Sequence, residues 1–406
     1  MLHTDGQRLW DSLMAMAEIG ATAGGGSSRL ALGGEDAAGR ALFVEWAEAA
    51  GLTVARDAMG NLFARRNGRE DRPPVVMGSH LDTQPKGGRF DGVYGVLAAL
   101  EAIRTLNDHD ITTRAPLEIA NWTNEEGARF TPAMLGSSVF AGVMSLDEGL
   151  ARTDASGMSV SDSLKATGQA GEHALARTFD AYFEAHIEQG PVLEDNQNAV
   201  GVVTGGQAIR WLDVRLSGQA AHAGTTPMAV RRDALFAAAE LIHRLERRFA
   251  ETDGLMATIG ELHIADASRN TIAGALEFTL DLRHPDDAMV DAAIADVERL
   301  ARDVDHARGV ACAVEVHWAS PALPFDEACI EHIRQAARAL DCRWQDMISG
   351  AGHDAFHLAT HCPTAMIFIP CADGLSHHEA ESIEPEHARS GADVLLNAVL
   401  ARAGHA

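Results

Sequence analysis

The chain has 406 residues, 46% hydrophobic and 22% charged, and 33 basic against 58 acidic side chains leave a net charge of −25. That length exceeds a single core, so two domains are expected, and so acidic a surface excludes nucleic acid and anionic membranes as partners. No apolar run approaches the roughly 18 residues that span a bilayer, Met1 to Leu13 lacks a secretory pattern, and five cysteines without C-x-x-C spacing read as reduced thiols of a cytoplasmic protein.

In chain order, Ala21 to Gly34 reads as a flexible loop, and its Gly24-Gly25-Gly26-Ser27-Ser28 run lacks the Gly-Lys-Ser/Thr ending of a phosphate loop. Ala37 to Ala50 has helical spacing and stops at Gly51. Thr53–Arg56 and Asn61–Arg65 suggest a hairpin around Met59-Gly60, and Val75–Gly78 a short strand leading to His80. Gly92 to Leu106 reads as a helix with Val93, Val96, Leu97, Leu100 and Ile103 on one side, and Leu117–Trp122 as a strand delivering Glu125-Glu126. Trp211–Leu216, Leu276–Leu282 and Val310–Val316 alternate. With helices at Pro227–Phe249 and Pro285–Val304, and Ala257–His263 as second strand, they give the β-α-β-β-α-β order of a ferredoxin-like sandwich. A helix at Asp326–Leu340 and a strand at Ala365–Ile369 return to the first domain. The expected fold is α/β, a mostly parallel sheet formed by residues 1–210 and 324–406 with an inserted α+β domain at 211–323.

The chemistry-bearing residues follow strands. They are His80-Leu81-Asp82, Asp91 within Gly87–Gly92, Glu125-Glu126, His186 within Ala185–Gly190, and Ser376-His377-His378. Imidazoles and carboxylates are what borderline divalent cations prefer, and two adjacent cations can activate a water and polarise a carbonyl. A metal-bound His80 needs an acceptor for its second ring nitrogen, and Asp82 is placed to supply it. A carboxylate can bridge two ions where an imidazole cannot, which makes Asp91 the candidate bridge. Glu125 and Glu126 diverge if extended, so one can bind metal while the other stays free as a base; spacing alone does not say which. Any one of these elements is commonplace as a buried histidine, a solvated acidic pair or an Asp-Gly turn. Five of them, each at a strand end beside glycine, point to a dimetal hydrolase.

These segments resemble the M20-type amidohydrolases, in the branch of N-carbamoyl-L-amino-acid hydrolases and allantoate amidohydrolases. The matching runs are Gly78–Thr83, Gly87–Gly92, Asn124–Phe130, His186–Pro191, Gly218–Met228, Ser349–Ala355 and Gly374–His377, which span nearly the whole chain in the family's order. The resemblance implies two divalent ions per subunit, zinc or else manganese, cobalt or nickel. One is held by His80, Asp91 and His186 and the other by Asp91, Glu126 and His377, with Glu125 as general base. The family has a small polar residue after the last histidine, where this chain has His378. The resemblance further implies that 211–323 is a lid and homodimerisation domain, that His222 stabilises an oxyanion, and that Asn270 and Arg283 hold a substrate carboxylate. Gln189, Arg210, Gly352 and His353 are candidate pocket residues. The implied reaction is hydrolysis of the carbamoyl bond of a small anionic ureido substrate, an N-carbamoyl-L-amino acid, releasing amino acid, ammonia and carbon dioxide. Allantoate hydrolysis and β-ureidopropionase-type activity are the alternatives, and a silent metal-binding protein would not need a free Glu125.

Overall fold

A computed structural model gives the fold, with residues 1–405 described. The chain divides into two compact units: residues 1–204 together with the chain from Pro324 onward, and Gly205–Leu323. The first join lies ahead of position 211 because the strand Ala208–Ser217 starts before the alternation at Trp211 becomes visible, with Ala208 and Ile209 already paired to His284 and Arg283.

The first unit is built on a nine-stranded sheet. Its order is Thr53–Arg56, Leu62–Arg66, Leu117–Trp122, Val75–His80, Ala181–Ile187, Thr364–Ile369, Val200–Gly206 and Leu323–Pro324, with Trp344–Ser349 also pairing to Val200–Gly206. The sheet is mixed rather than mostly parallel. Val75–His80 runs parallel to Leu117–Trp122 and Ala181–Ile187, as does Thr364–Ile369 to Ala181–Ile187. The flanking hairpin strands are antiparallel to their neighbours, and Val200–Gly206 is antiparallel to Thr364–Ile369. At the hairpin the cause is local. The Asp57 carboxylate accepts the N–H groups of Met59 and Asn61, closing a turn too short for a parallel crossover.

The four parallel strands are buried along their whole length, as expected where both faces are covered. The helix Val93–Asp108 is buried nearly all round because it packs on this sheet and against both Gly6–Ala17 and Pro385–Ala403. That last helix also ties down the N-terminus, where Thr4 donates from its N–H and its hydroxyl to Asp393 Oδ1, each at 2.6 Å. Residues 21–34 are not the free loop their glycines suggest. Ser27 exchanges two backbone hydrogen bonds with Gly87, and fully buried Arg29 donates to the carbonyls of Met16, Ile19 and Leu81.

The second unit carries a fully antiparallel sheet in the order Leu262–Ile264, Ala275–His284, Ala208–Ser217, Ala311–Ser320. The expected strand at 257–263 is split into Met256–Thr258 and Leu262–Ile264, both lying along Ala275–His284; Gly260 falls in the gap. Leu212, Val214, Leu216, Leu276, Phe278, Leu280 and Leu282 share one core with residues of the helices Ala234–Phe249 and Asp287–Arg308. Trp211 and Trp318 are exposed and pack ring to ring at 4.9 Å. The first helix starts at Ala234 rather than Pro227 because the Asp233 side chain caps it, accepting from Leu235 and Phe236. Among the described residues no helix is long and apolar enough to cross a membrane.

Candidate metal centre

His80 ends the strand Val75–His80, and His186 lies one residue from the end of Ala181–Ile187. The two strands are parallel neighbours, so both imidazoles emerge beyond the carboxyl edge of the sheet. Asp91 precedes the helix Val93–Asp108. Gly92, between them, has φ +66°, and a Cβ there would lie 2.3 Å from the His80 ring, so the approach needs glycine. Glu125 and Glu126 sit on a bend flanked by left-handed Asn124 and Gly127 (φ 57° and 65°), not on an extended segment. They still point apart, with Glu125 Oε2 3.4 Å from His80 Nε2 and Glu126 Oε2 3.3 Å from His377 Nε2.

Asp91 stands between two groups of donors. Its Oδ1 is 3.1 Å from His186 Nε2 and 3.7 Å from His80 Nε2, and its Oδ2 is 3.5 Å from His377 Nε2. Two candidate ligand sets result, His80–Asp91–His186 and Asp91–Glu126–His377. A grouping of Glu184, His186 and His353 also exists. Both Glu184 oxygens there are occupied, by the Ser79 hydroxyl and by Tyr182 and the Ala355 N–H.

The residues fit metal ions on three counts. Most of these donor spacings exceed the about 2.7–3.2 Å of an N–H···O bond and lie near the about 3.3 Å edge of a tetrahedron with bonds of about 2.0–2.1 Å. Both buried histidines have Nδ1 2.9 Å from a backbone carbonyl, His80 on Asp82 and His186 on Ile187. That contact places the proton on Nδ1 and the lone pair on Nε2, and His80 Nε2 is buried without a hydrogen-bond partner. Finally, acids are crowded together at the centre, and no lysine or arginine lines the cleft among the described residues. Burial and then Asp354 push Glu125 well above its usual range, and burial and then Asp91 do the same to Glu126. Burial also opposes ionisation of Asp91, but His186 and His80 outweigh it and hold that carboxyl low. His80 is lowered to about 4, chiefly by burial, whereas His186 is raised to about 9 because Asp91 outweighs burial.

Asp82 does less chemistry than its position suggests. Its backbone carbonyl, not its carboxylate, meets His80 Nδ1, at 2.9 Å. The carboxylate instead accepts the N–H groups of Glu125 and Glu126, each at 3.3 Å, and so fixes the bend that carries the acidic pair.

A cleft of about 580 Å³ opens on this centre, lined by Asp91, Glu125, Glu126, His186, Gln189, Gly352, His353 and His377 together with Ala133, Met134, Ala351 and Leu375. Gln189 donates to Asp91 Oδ2 at 2.8 Å. His353 packs against His186 with ring centroids 4.5 Å apart and a buried, unpartnered Nε2. His378 turns away into its own loop, where Nδ1 accepts the Ala380 N–H.

The remaining candidates belong to the second unit. Exposed His222 and Asn270 lie together, since Ala221–His222 pairs with Thr271–Ile272 and the Ala223 N–H donates to the Asn270 carbonyl. The Arg283 fork meets Asp281 at 2.8–3.1 Å. Arg210 is held by Asp287 and the Ser320 carbonyl.

Two bracing residues, Gln84 and Glu381, escaped the sequence reading, and Ser376 was singled out only as part of the Ser376-His377-His378 run. Gln84 donates from its N–H and its amide to Glu126, Ser376 donates to Asp91 Oδ2, and Glu381 holds the backbone of Asp91. Gln84 was within reach of a motif reading, two residues past Asp82; Glu381 had no such signal.

Residues 76–401 match the family described as peptidase family M20/M25/M40. An N-carbamoyl-L-amino-acid amidohydrolase of Rhizobium meliloti is 46% identical over 401 residues, covering 98% of this chain and 96% of that protein. The allantoate amidohydrolase of Escherichia coli K12 is 33% identical over 380 residues, covering 92% of each. Among solved structures, a hydantoinase/carbamoylase family amidase from Burkholderia ambifaria is 57% identical, with a TM-score of 0.96 over 100% of this chain and 99% of that one.

Proposed function

The chain belongs to peptidase family M20/M25/M40, and from that membership we propose that it is a metal-dependent amidohydrolase cleaving the carbamoyl carbon–nitrogen bond of N-carbamoyl-L-amino acids. The observation that carries this reading is a pair of ligand sets sharing Asp91, with Glu125 claimed by neither. His80, Asp91 and His186 would hold one divalent ion and Asp91, Glu126 and His377 a second, drawn from zinc, manganese, cobalt or nickel. Ions bound there would lower the pKa of water and polarise a carbonyl.

Glu125 takes a proton from the attacking water onto its carboxylate. The water oxygen bonds to the carbamoyl carbon, and the bond from that carbon to the amino-acid nitrogen breaks as Glu125 returns the proton to the nitrogen. The carbamate left behind falls to ammonia and carbon dioxide. Gln189 and Ser376 keep the Asp91 carboxylate oriented throughout. His353 and Gly352 border the cleft where the substrate lies.

We read the second unit as a ferredoxin-like lid and homodimerisation domain. In that role His222 donates to the developing oxyanion and Asn270 and Arg283 receive the substrate carboxylate, Arg283 exchanging its contact with Asp281. Five free cysteines accord with a cytoplasmic setting.

The test is a parallel assay of ammonia release from N-carbamoyl-methionine, N-carbamoyl-β-alanine and allantoate, each with metal-reconstituted protein and with Glu125→Gln. Turnover of the N-carbamoyl-L-amino acid ahead of the others, and its loss by on the order of 10³-fold or more in E125Q with metal content unchanged, is the expected result. Preference for allantoate would transfer the chain to the rival activity, and an active E125Q would end the proton-carrier role.

A further inference from the structure

The carboxylate of Glu381 is 1% exposed and takes no part in the mechanism above. Its Oε1 accepts the backbone N–H groups of Phe90 at 3.0 Å and Asp91 at 3.1 Å, across 290 positions of sequence in the second case. Its Oε2 lies 3.3 Å from the Ser376 hydroxyl, which is itself 2.9 Å from Asp91 Oδ2. The Glu381 N–H donates to the His378 carbonyl, closing the turn that immediately follows His377. Room for the carboxylate exists because residue 88 is glycine: a Cβ there would stand 2.0 Å from Glu381 Oε1.

One side chain therefore joins the backbone at Asp91 to Ser376, the residue that precedes His377. The remaining ligand of that set, Glu126, is braced separately by Gln84. The other set does not depend on Glu381 in the same way, since His80 and His186 are fixed by strands. His377 has no strand beneath it; its side chain is 52% exposed and its backbone left-handed (φ 53°).

We propose that Glu381 is a positioning residue that sets how tightly the Asp91–Glu126–His377 set holds its ion. The proposal rests on the two-ion reading above. A hydrogen-bond partner behind a metal ligand typically controls affinity by about 10–100-fold.

The experiment titrates metal-stripped protein with Mn2+ by calorimetry, for wild type, E381A, E381Q and E381D, and records the melting temperature of each metal-free protein. Wild type should bind two ions; fewer than two would sink the two-ion reading and this proposal with it. Given two, E381A should weaken the looser ion at least about tenfold and the tighter ion by less than about threefold, with metal-free melting unchanged within a few degrees. E381Q should recover most of the loss, because its amide oxygen can accept the same two N–H groups. Unchanged affinities in E381A, an equal loss at both sites, or E381Q as weak as E381A would overturn the proposal. Should E381A fail to fold, E381D decides. One methylene shorter, it should show the selective loss, and wild-type affinity at both sites in E381D would overturn it.

Discussion

The two ligand sets sit a few ångströms apart and are built by different means. His80 and His186 are both 1% exposed and project from adjacent parallel strands whose register is fixed by backbone pairing. Glu126 and His377 come from turns, and their placement depends on Gln84, Ser376 and Glu381. The two histidines of the first set are a by-product of forming the sheet, whereas the shared Asp91 and the rest of the second set are held by side-chain hydrogen bonds. With an ion bound in each set, as proposed, one should be coupled to folding and the other to loop order.

The largest effect should come from the residue common to both. Asp91→Ala removes the shared carboxylate and should lower kcat/KM by about a thousandfold or more, about 4 kcal/mol in barrier, with less than one ion retained per subunit by elemental analysis. Retention of both ions would show that the sets do not share Asp91.

A smaller effect separates the sets. His186→Ala opens a cavity among buried groups and removes the imidazole nearest Asp91, so metal-free protein should melt several degrees lower, consistent with a buried-site cost of about 2–4 kcal/mol. His377→Ala is a change at a half-exposed turn, within about 0.5 kcal/mol in stability, and should cost one ion while leaving metal-free melting intact. Equal melting temperatures for the two variants would erase the distinction between strand-built and turn-built sites.

The smallest effect is a pH trend. Burial and then Asp36 raise Asp82 to about 7, and burial and then Asp91 raise Glu381 to about 8. A carboxyl whose folded pKa lies above its unfolded value contributes stability while protonated. That contribution is complete below the unfolded value and is lost as pH climbs through the folded one. Metal-free protein should therefore weaken progressively between about pH 4 and pH 8 through these groups. Bound cations supply the missing positive charge, so the melting temperature of loaded minus metal-free protein should widen between about pH 5.5 and pH 8.5. A constant or shrinking difference would mean that these acids are ionised without strain.

The same division governs how much could be read in the sequence. Elements with a periodic signal were legible. Leu117–Trp122 has the expected bounds, the hairpin strand Thr53–Arg56 likewise, and the helix expected from Asp326 runs Glu327–Ala339 with Asp326 as its cap. What the structure adds depends on contacts between distant residues. The glycine run at 24–26 says flexibility, but buried Arg29 and the pairing of Ser27 with Gly87 hold the segment in place. Asp82 looks like a carboxylate partner for His80, and only the path of the chain shows that its carbonyl fills that role. Glu381 carries no local pattern linking it to Asp91. Strand-borne groups advertise themselves through spacing, and turn-borne braces do not.

The first unit is made from two separated stretches of chain. His80, Asp91 and His186 all belong to the earlier stretch, while His377 follows the whole second unit. During synthesis on a ribosome, the ligands of the buried set are therefore translated before the last ligand of the other exists. Order of manufacture runs from the interior ligand set to the peripheral one, and a chain truncated before residue 377 would carry every donor of the first set and an incomplete second set.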